Sequence, residues 1–233
     1  MLELKEIMHA HGLDLDDDQC ALLLADLTKI IEVNRVINLT RIDSIENGIV
    51  RHLEDSLLGL SAVNAAPAGL YGDLGTGGGF PGVPIAIMTG RETLLVDSVK
   101  KKVNALLSVV ETLGLDEHVS GYAGRIEDLA VERKGQFSVL TARALSSLPS
   151  LLELSAPLLR NGGQLICYKA KPEKQEIDAA ISLEKKLGMR YVSRETYQLS
   201  DESTRCILVF EKYAKPKISL PRRLGMAQKH PLA

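Results

Sequence analysis

The run Asp73-Leu74-Gly75-Thr76-Gly77-Gly78-Gly79-Phe80-Pro81-Gly82 has the residue types of a nucleoside-binding loop. Glycines let the backbone turn tightly and approach a ligand with no Cβ in the way. Set between an apolar strand and a helix, such a loop lies past the carboxyl ends of the strands, where open α/β sheets bind ligands. Gly77-x-Gly79-x-x-Gly82 also matches the dinucleotide fingerprint, which aims a helix N-terminus at a pyrophosphate. Pro81 and Pro84 remove two backbone donors there, and Asp73 sets a negative charge beside the site. A carboxylate suits a cationic ligand better than a diphosphate. The sulfonium and ammonium groups of S-adenosylmethionine meet that requirement, with Asp73 holding the amino acid part, directly or through water. Asp97 ends the next apolar run, 22 positions beyond Gly75, where a carboxylate can accept hydrogen bonds from both ribose hydroxyls. The run Gly124-Arg125-Ile126-Glu127-Asp128 ends the strand after that. There Ile126 can cover a purine face while backbone at Glu127 meets the ring edge; a plain loop with a helix cap is the competing reading.

Those residues need a framework of strands alternating with helices. Leu70–Leu74, Thr93–Asp97, Val119–Gly124, Phe137–Thr141 and Gln164–Tyr168 read as strands separated by helical stretches, which implies a parallel sheet covered on both faces. Two further strands, about Arg190–Leu199 and Arg205–Lys212, are separated by a few polar residues, a hairpin length, so the sheet should end in an antiparallel edge. Residues 1–66 read as a helical extension packed on the core. Within it, Gln19–Val33 carries a broad apolar face, Asp16–Asp18 supply a cap and first-turn charge, and a second helix spans Ile45–Val63. Residues 67–213 form the nucleoside-binding core. Residues 214–233 carry Lys215, Lys217, Arg222, Arg223 and Lys229 with no acidic residue, and read as an extended basic tail.

Bulk composition is ordinary for a globular chain, with 45% apolar and 25% charged residues,. A net charge of −2 gives no global sign of a nucleic-acid binder,. Aromatics at 4% rule against a broad base-stacking platform,. Cys20, Cys167 and Cys206 are far apart and form no C-x-x-C pair, so neither a disulfide framework nor a metal site is expected. With no signal pattern and no spanning apolar run, the chain reads as a soluble cytoplasmic monomer.

Together the motifs resemble the bacterial small-subunit rRNA guanine-N7 methyltransferases, the RsmG or GidB family. The resemblance rests on Asn38-Leu39-Thr40, Arg51-His52-x-x-Asp55-Ser56, the extended glycine loop through Pro84, and Asp97-Ser98-x-x-Lys101-Lys102. It continues through Gly124-Arg125-Ile126-Glu127, Ala142-Arg143-Ala144, Tyr168-Lys169-Ala170-Lys171 and Pro221-Arg222-Arg223-x-Gly225-x-x-x-Lys229-x-Pro231-Leu232. The family often has Lys-Gly at Lys169-Ala170 and Lys-Arg at Lys101-Lys102. The resemblance implies a class I methyltransferase of Rossmann-like α/β fold, with a mostly parallel seven-stranded sheet. It implies S-adenosylmethionine as cofactor and methylation of N7 of guanine 527 in 16S rRNA, within the small ribosomal subunit or an assembly intermediate. By position, Gly75, Phe80, Ile126, Glu127 and Arg143 become cofactor contacts, joining Asp73, Gly77 and Asp97. Arg51, His52, Arg143, Lys169, Arg222 and Arg223 become candidates for RNA. No general base is expected, because N7 carries a free lone pair. From the residues alone, a non-catalytic nucleotide-binding ribosomal module and an NAD-dependent oxidoreductase stay open.

Overall fold

The computed structural model describes residues 1–42 and 44–233. Among them are seven strands: β1 (Tyr71–Leu74), β2 (Thr93–Asp97), β3 (Val119–Ala123), β4 (Phe137–Arg143), β5 (Leu159–Lys169), β6 (Met189–Gln198) and β7 (Thr204–Lys212). They form one sheet in the order β3-β2-β1-β4-β5-β7-β6. β1 to β5 are parallel. β7 runs antiparallel to both of its neighbours, so the hairpin inserts it between β5 and the edge strand β6.

The chain steps outward from β1 to β3, then returns to place β4 on the other side of β1. That reversal opens a crevice at the carboxyl ends of β1 and β4, the switch point where doubly wound sheets bind ligands. Leu74 pairs in register with Ala142. The glycine loop after β1 and the Ala142-Arg143-Ala144 turn ending β4 are therefore neighbours across the crevice.

The N-terminal helices cover one face of the sheet. The helix Asp17–Asn34 starts at Asp16, whose carboxylate accepts from Gln19 N while the Gln19 side chain accepts from Asp16 N. This reciprocal box stops the helix at the predicted acidic run. Its Leu23, Leu27 and Ile30 are buried together with Phe80, Val83, Leu95 and Leu106 of the core. Burying each large apolar side chain contributes about 1.5–3 kcal/mol, which welds the extension to the helix Gly82–Thr89 that follows the glycine loop.

The expected single helix over 45–63 is interrupted. A helical stretch from Ile45 to Leu57 contains a π-helical turn, Ile49–Glu54, and a separate helix spans Leu60–Ala65. The break falls at Gly59, where a Cβ would lie 2.0 Å from the Tyr168 hydroxyl. Tyr168 of β5 donates to Ser56 O at 2.8 Å, so strand and helix meet at backbone distance.

The C-terminal tail is not a loose extended strand. Ile218, Leu220 and Leu232 pack against the main apolar cluster, and Met226–Lys229 forms a short helix. All three cysteines are free and buried. No helix among the described residues is long and apolar enough to cross a membrane.

Candidate active site

Two pockets open at the carboxyl ends of the strands. The first is lined by Gly75, Val96, Asp97, Ser98, the turn Gly124–Glu127, Leu145, Leu154 and Gln228. Asp97 organises it. One carboxylate oxygen accepts from Gly77 N at 3.2 Å and the other from Val99 N at 2.9 Å. Gly75 and Gly77 have φ of 73° and 56°, a conformation that favours glycine. A Cβ on Gly75 would stand 2.7 Å from Leu145 Cδ1, a residue of the same pocket wall.

Asp73 stands behind the loop. It is fully buried, with Oδ1 accepting from Thr141 Oγ1 at 2.7 Å and Oδ2 from Gly82 N at 3.1 Å. Burial pushes its pKa above the usual carboxylate range, opposed by hydrogen bonds from Thr141 and Gly82 and by the charge of Arg143. Its expected role is a hold on the amino acid part of a cationic ligand, directly or through water. Both oxygens are used to join β4 to the end of the loop, so the residue shapes the loop from below.

The second pocket adjoins the first across the turn 143–146. Its lining includes Arg51, His52, Asp55, Arg143, Ala144, Ser146, Lys169 and Arg205. Asp55 is 2% exposed and sits between two cations. Its Oδ2 accepts from Arg143 at 2.9 Å, and its Oδ1 accepts from Arg205 Nε at 2.5 Å. A buried carboxylate is tolerated when paired and fully hydrogen-bonded, and two arginines leave the cluster positive.

Arg143 also donates to Arg51 O at 3.1 Å and lies 3.2 Å from His52 Nδ1. With Nδ1 accepting from the arginine, the His52 proton sits on Nε2, 2.8 Å from Thr40 Oγ1,. Burial, with the charge of Arg143 beside it, holds the His52 pKa down at about 3. The neutral ring stacks on Phe80 at 4.2 Å between centroids and 2° between planes. Lys169 reaches Glu176 at 2.7 Å and Ser146 O at 3.0 Å. Arg51 is more exposed and pairs with Asp201 at 3.1 Å.

Of the residues expected around a cofactor, the structure thus gathers Gly75, Asp97, Ile126 and Glu127 in one wall. Gly77 supports that wall through Asp97. Phe80 is buried against His52 instead, and Arg143 lines the second pocket with Arg51, His52 and Lys169. His52 neither faces solvent as a phosphate ligand nor caps a helix; it is a stacked, buried element. Arg222 is engaged with Glu153, Nε to Oε1 and Nη2 to Oε2, both at 2.7 Å. That makes it an anchor of the tail, whereas Arg223 is exposed. Sequence reasoning missed Asp55, Arg205 and Gln228 as pocket residues. Asp55 lay in a quoted motif; nothing marked Arg205 or Gln228.

A glycine loop held by a strand-end carboxylate, at the switch point of a sheet whose β7 is antiparallel, defines a class I S-adenosylmethionine-dependent methyltransferase. The fold comparisons agree. The tRNA methyltransferase TrmK of B. subtilis superposes with a TM-score of 0.52 at 18% identity, covering 69% of this chain and 70% of that one. A geranyl diphosphate methyltransferase solved with S-adenosylmethionine gives 0.53 at 14% identity, with 69% and 86% covered. At the level of sequence, the GidB model, rRNA small subunit methyltransferase G, matches residues 19–205. Ribosomal RNA small subunit methyltransferase G of Pseudothermotoga lettingae is 34% identical over 232 residues, all of both chains. Its counterpart in Streptococcus pyogenes serotype M12 is 34% identical over 208 residues, 87% of each chain. The chain belongs to the small-subunit rRNA methyltransferase G family, and S-adenosylmethionine is its cofactor.

Proposed function

We propose that this enzyme methylates N7 of guanine 527 in 16S rRNA, within the small subunit or an assembly intermediate, and that the first pocket holds the cofactor while the second receives the guanine. The observation that carries this reading is the turn 143–146, shared by both pockets. Leu145 lines the first pocket; Ala144 and Ser146 line the second. Ala144 has φ of 53°, a conformation non-glycine residues hold only when their surroundings enforce it. That turn is the divide a methyl group would have to cross.

The first pocket fits the cofactor by its chemistry. Asp97 offers acceptor oxygens to ribose hydroxyls, Ile126 and Leu145 offer apolar faces to a purine, and the glycines admit close approach. When bound, S-adenosylmethionine supplies an electrophilic methyl group, taken in line by the N7 lone pair. The protein's own work is positional, since N7 carries no proton to remove. Arg143 has five N–H groups. Asp55, Arg51 O and His52 occupy three, which leaves two for guanine O6 or an adjacent phosphate. Phe80, His52 and Asp55 fix its orientation. N7 faces the deep, narrow groove of A-form RNA, so the guanine must lie in a loop or be flipped out to enter. Arg51, Lys169 and Arg223 supply cations for the phosphates around it.

Incubation with methyl-labelled S-adenosylmethionine and small subunits lacking the modification tests this reading. Label recovered as 7-methylguanosine at position 527 is the expected result. Label at another base, in protein or in a small molecule would reject it.

A further inference from the structure

We propose that Gln228, carried over the first pocket by the folded C-terminal segment, is a cofactor-binding residue that recognises the 6-amino edge of adenine. This rests on the assignment of that pocket to S-adenosylmethionine.

The segment is fastened at three points around Gln228. Gly225 N donates to Glu127 Oε1 at 2.7 Å, in a buried contact. Ser150 Oγ donates to Ala227 O at 2.7 Å, also buried. Arg222 forks onto Glu153, which is 3% exposed. Gly225 turns the chain with φ of 75°, and the helix Met226–Lys229 then points Gln228 into the pocket lining. The side chain is exposed, so no packing role accounts for its position.

Its chemistry differs from that of its neighbours. Asp97 is an acceptor only, with one lone pair of each oxygen on Gly77 N and Val99 N and the rest turned to the ribose,. Glu127 has one carboxylate oxygen on Gly225 N and can only accept with the other,. Arg125 is a donor only. Ser98 can donate and accept, but it adjoins Asp97, the ribose end. Among the side chains lining that pocket, Gln228 alone brings both a donor and an acceptor to the side formed by Ile126 and Glu127, beside the backbone N–H groups that open that helix. Adenine presents an amino donor beside a ring-nitrogen acceptor, and a carboxamide pairs with both. Because the three fastenings order the segment before any ligand arrives, little ordering entropy opposes that pairing.

Isothermal titration of the full chain separates the possibilities. The ligands are S-adenosylhomocysteine and its analogue whose purine lacks the 6-amino group. The wild type should prefer S-adenosylhomocysteine by about tenfold, the effect of one such amide pairing. Gln228→Ala should weaken S-adenosylhomocysteine by about the same factor and bind the two ligands alike. Asp97→Ala should weaken both ligands and keep the preference. A wild type without preference, or a Gln228→Ala protein that retains it, overturns the role of Gln228 while leaving the pocket assignment standing. Asp97→Ala binding both ligands as the wild type does overturns the pocket assignment itself.

Discussion

The two ends of the chain dock on the same sheet with opposite charge polarity. On the side of the second pocket, the N-terminal layer brings the carboxylate and the sheet brings the cations: Asp55 accepts from Arg143 of β4 and Arg205 of β7. On the side of the first pocket, the core brings the carboxylates, Glu127 and Glu153, and the C-terminal segment brings Gly225 N–H and Arg222. The difference follows what each pocket must hold. On the proposed assignment, strand ends that meet polyanionic RNA carry arginine and lysine, and one inserted aspartate positions two of them without cancelling the charge. The helices behind the first pocket carry two buried acids, and the tail supplies each with a partner. Each end thus completes one pocket with the charge its neighbour lacks.

The N-terminal side breaks most severely at Asp55. Asp55→Ala strands two arginines in a buried site, and loss of one partner of a buried pair costs about 3–5 kcal/mol. Urea unfolding should show that loss, and transfer should be abolished even where the protein remains folded. Arg143→Ala tests the sheet's side of the same pair. It should lower turnover by about 100-fold through misplacement of the guanine, while calorimetry shows S-adenosylhomocysteine binding within about threefold of wild type, since Arg143 lines the other pocket. Lost cofactor binding with intact turnover per bound enzyme would reassign Arg143.

On the C-terminal side, adjacent arginines should behave differently. Arg222→Ala removes a charge-assisted fork and should lower stability by about 2 kcal/mol in a denaturant melt. Arg223→Ala should change stability by less than about 0.5 kcal/mol, and should instead reduce the salt slope of rRNA binding by about one. Equal effects from the two would erase the distinction between anchor and ligand.

Asp26 sharpens the comparison inside the N-terminal layer. It is as buried as Asp55, yet neither oxygen has a hydrogen-bond partner among the described residues. Burial pushes its pKa from 3.8 up to about 8. The folded carboxyl therefore keeps a proton that the unfolded chain releases. The contribution of Asp26 to stability is full below pH 3.8 and falls as pH rises toward 8, by about 1.4 kcal/mol per pH unit. Asp26→Asn should flatten that decline, seen as melting curves that converge less with rising pH; an unchanged slope would mean the carboxylate finds a partner.

What could be read from the chain follows the range over which each feature is encoded. The glycine loop and Asp97 were legible because their conformational demand sits within one strand-loop-helix-strand unit. The capping box at Asp16 and Gln19 is equally local. Arg143 and His52 entered only through resemblance, and the buried stack of His52 on Phe80 could not be foreseen, because no local pattern says which aromatic a histidine will meet. Asp55 and Arg143 are 88 positions apart, a distance at which any acid could pair with any base. Gln228 carried no signal at all: a neutral residue in a segment whose prolines and cations read as solvated. Of its apolar anchors, Ile218 and Leu220 make a single two-residue step, too short to mark a strand, and Leu232 stands alone.

The bond from Asp55 to Arg205 spans 150 positions, and that from Glu54 to Ser200 spans 146. During synthesis the N-terminal helices emerge before β7, where and just before which these partners lie. Until that strand is made, Glu54 has only His11 and Asp55 only Arg143, and contacts of such separation form late. The second pocket therefore cannot be completed before β7 is made, and the first waits longer still, for Gly225 and Gln228 beyond it. A chain cut before β7 can assemble its glycine loop while both pockets stay unfinished, so such a fragment should transfer no methyl groups.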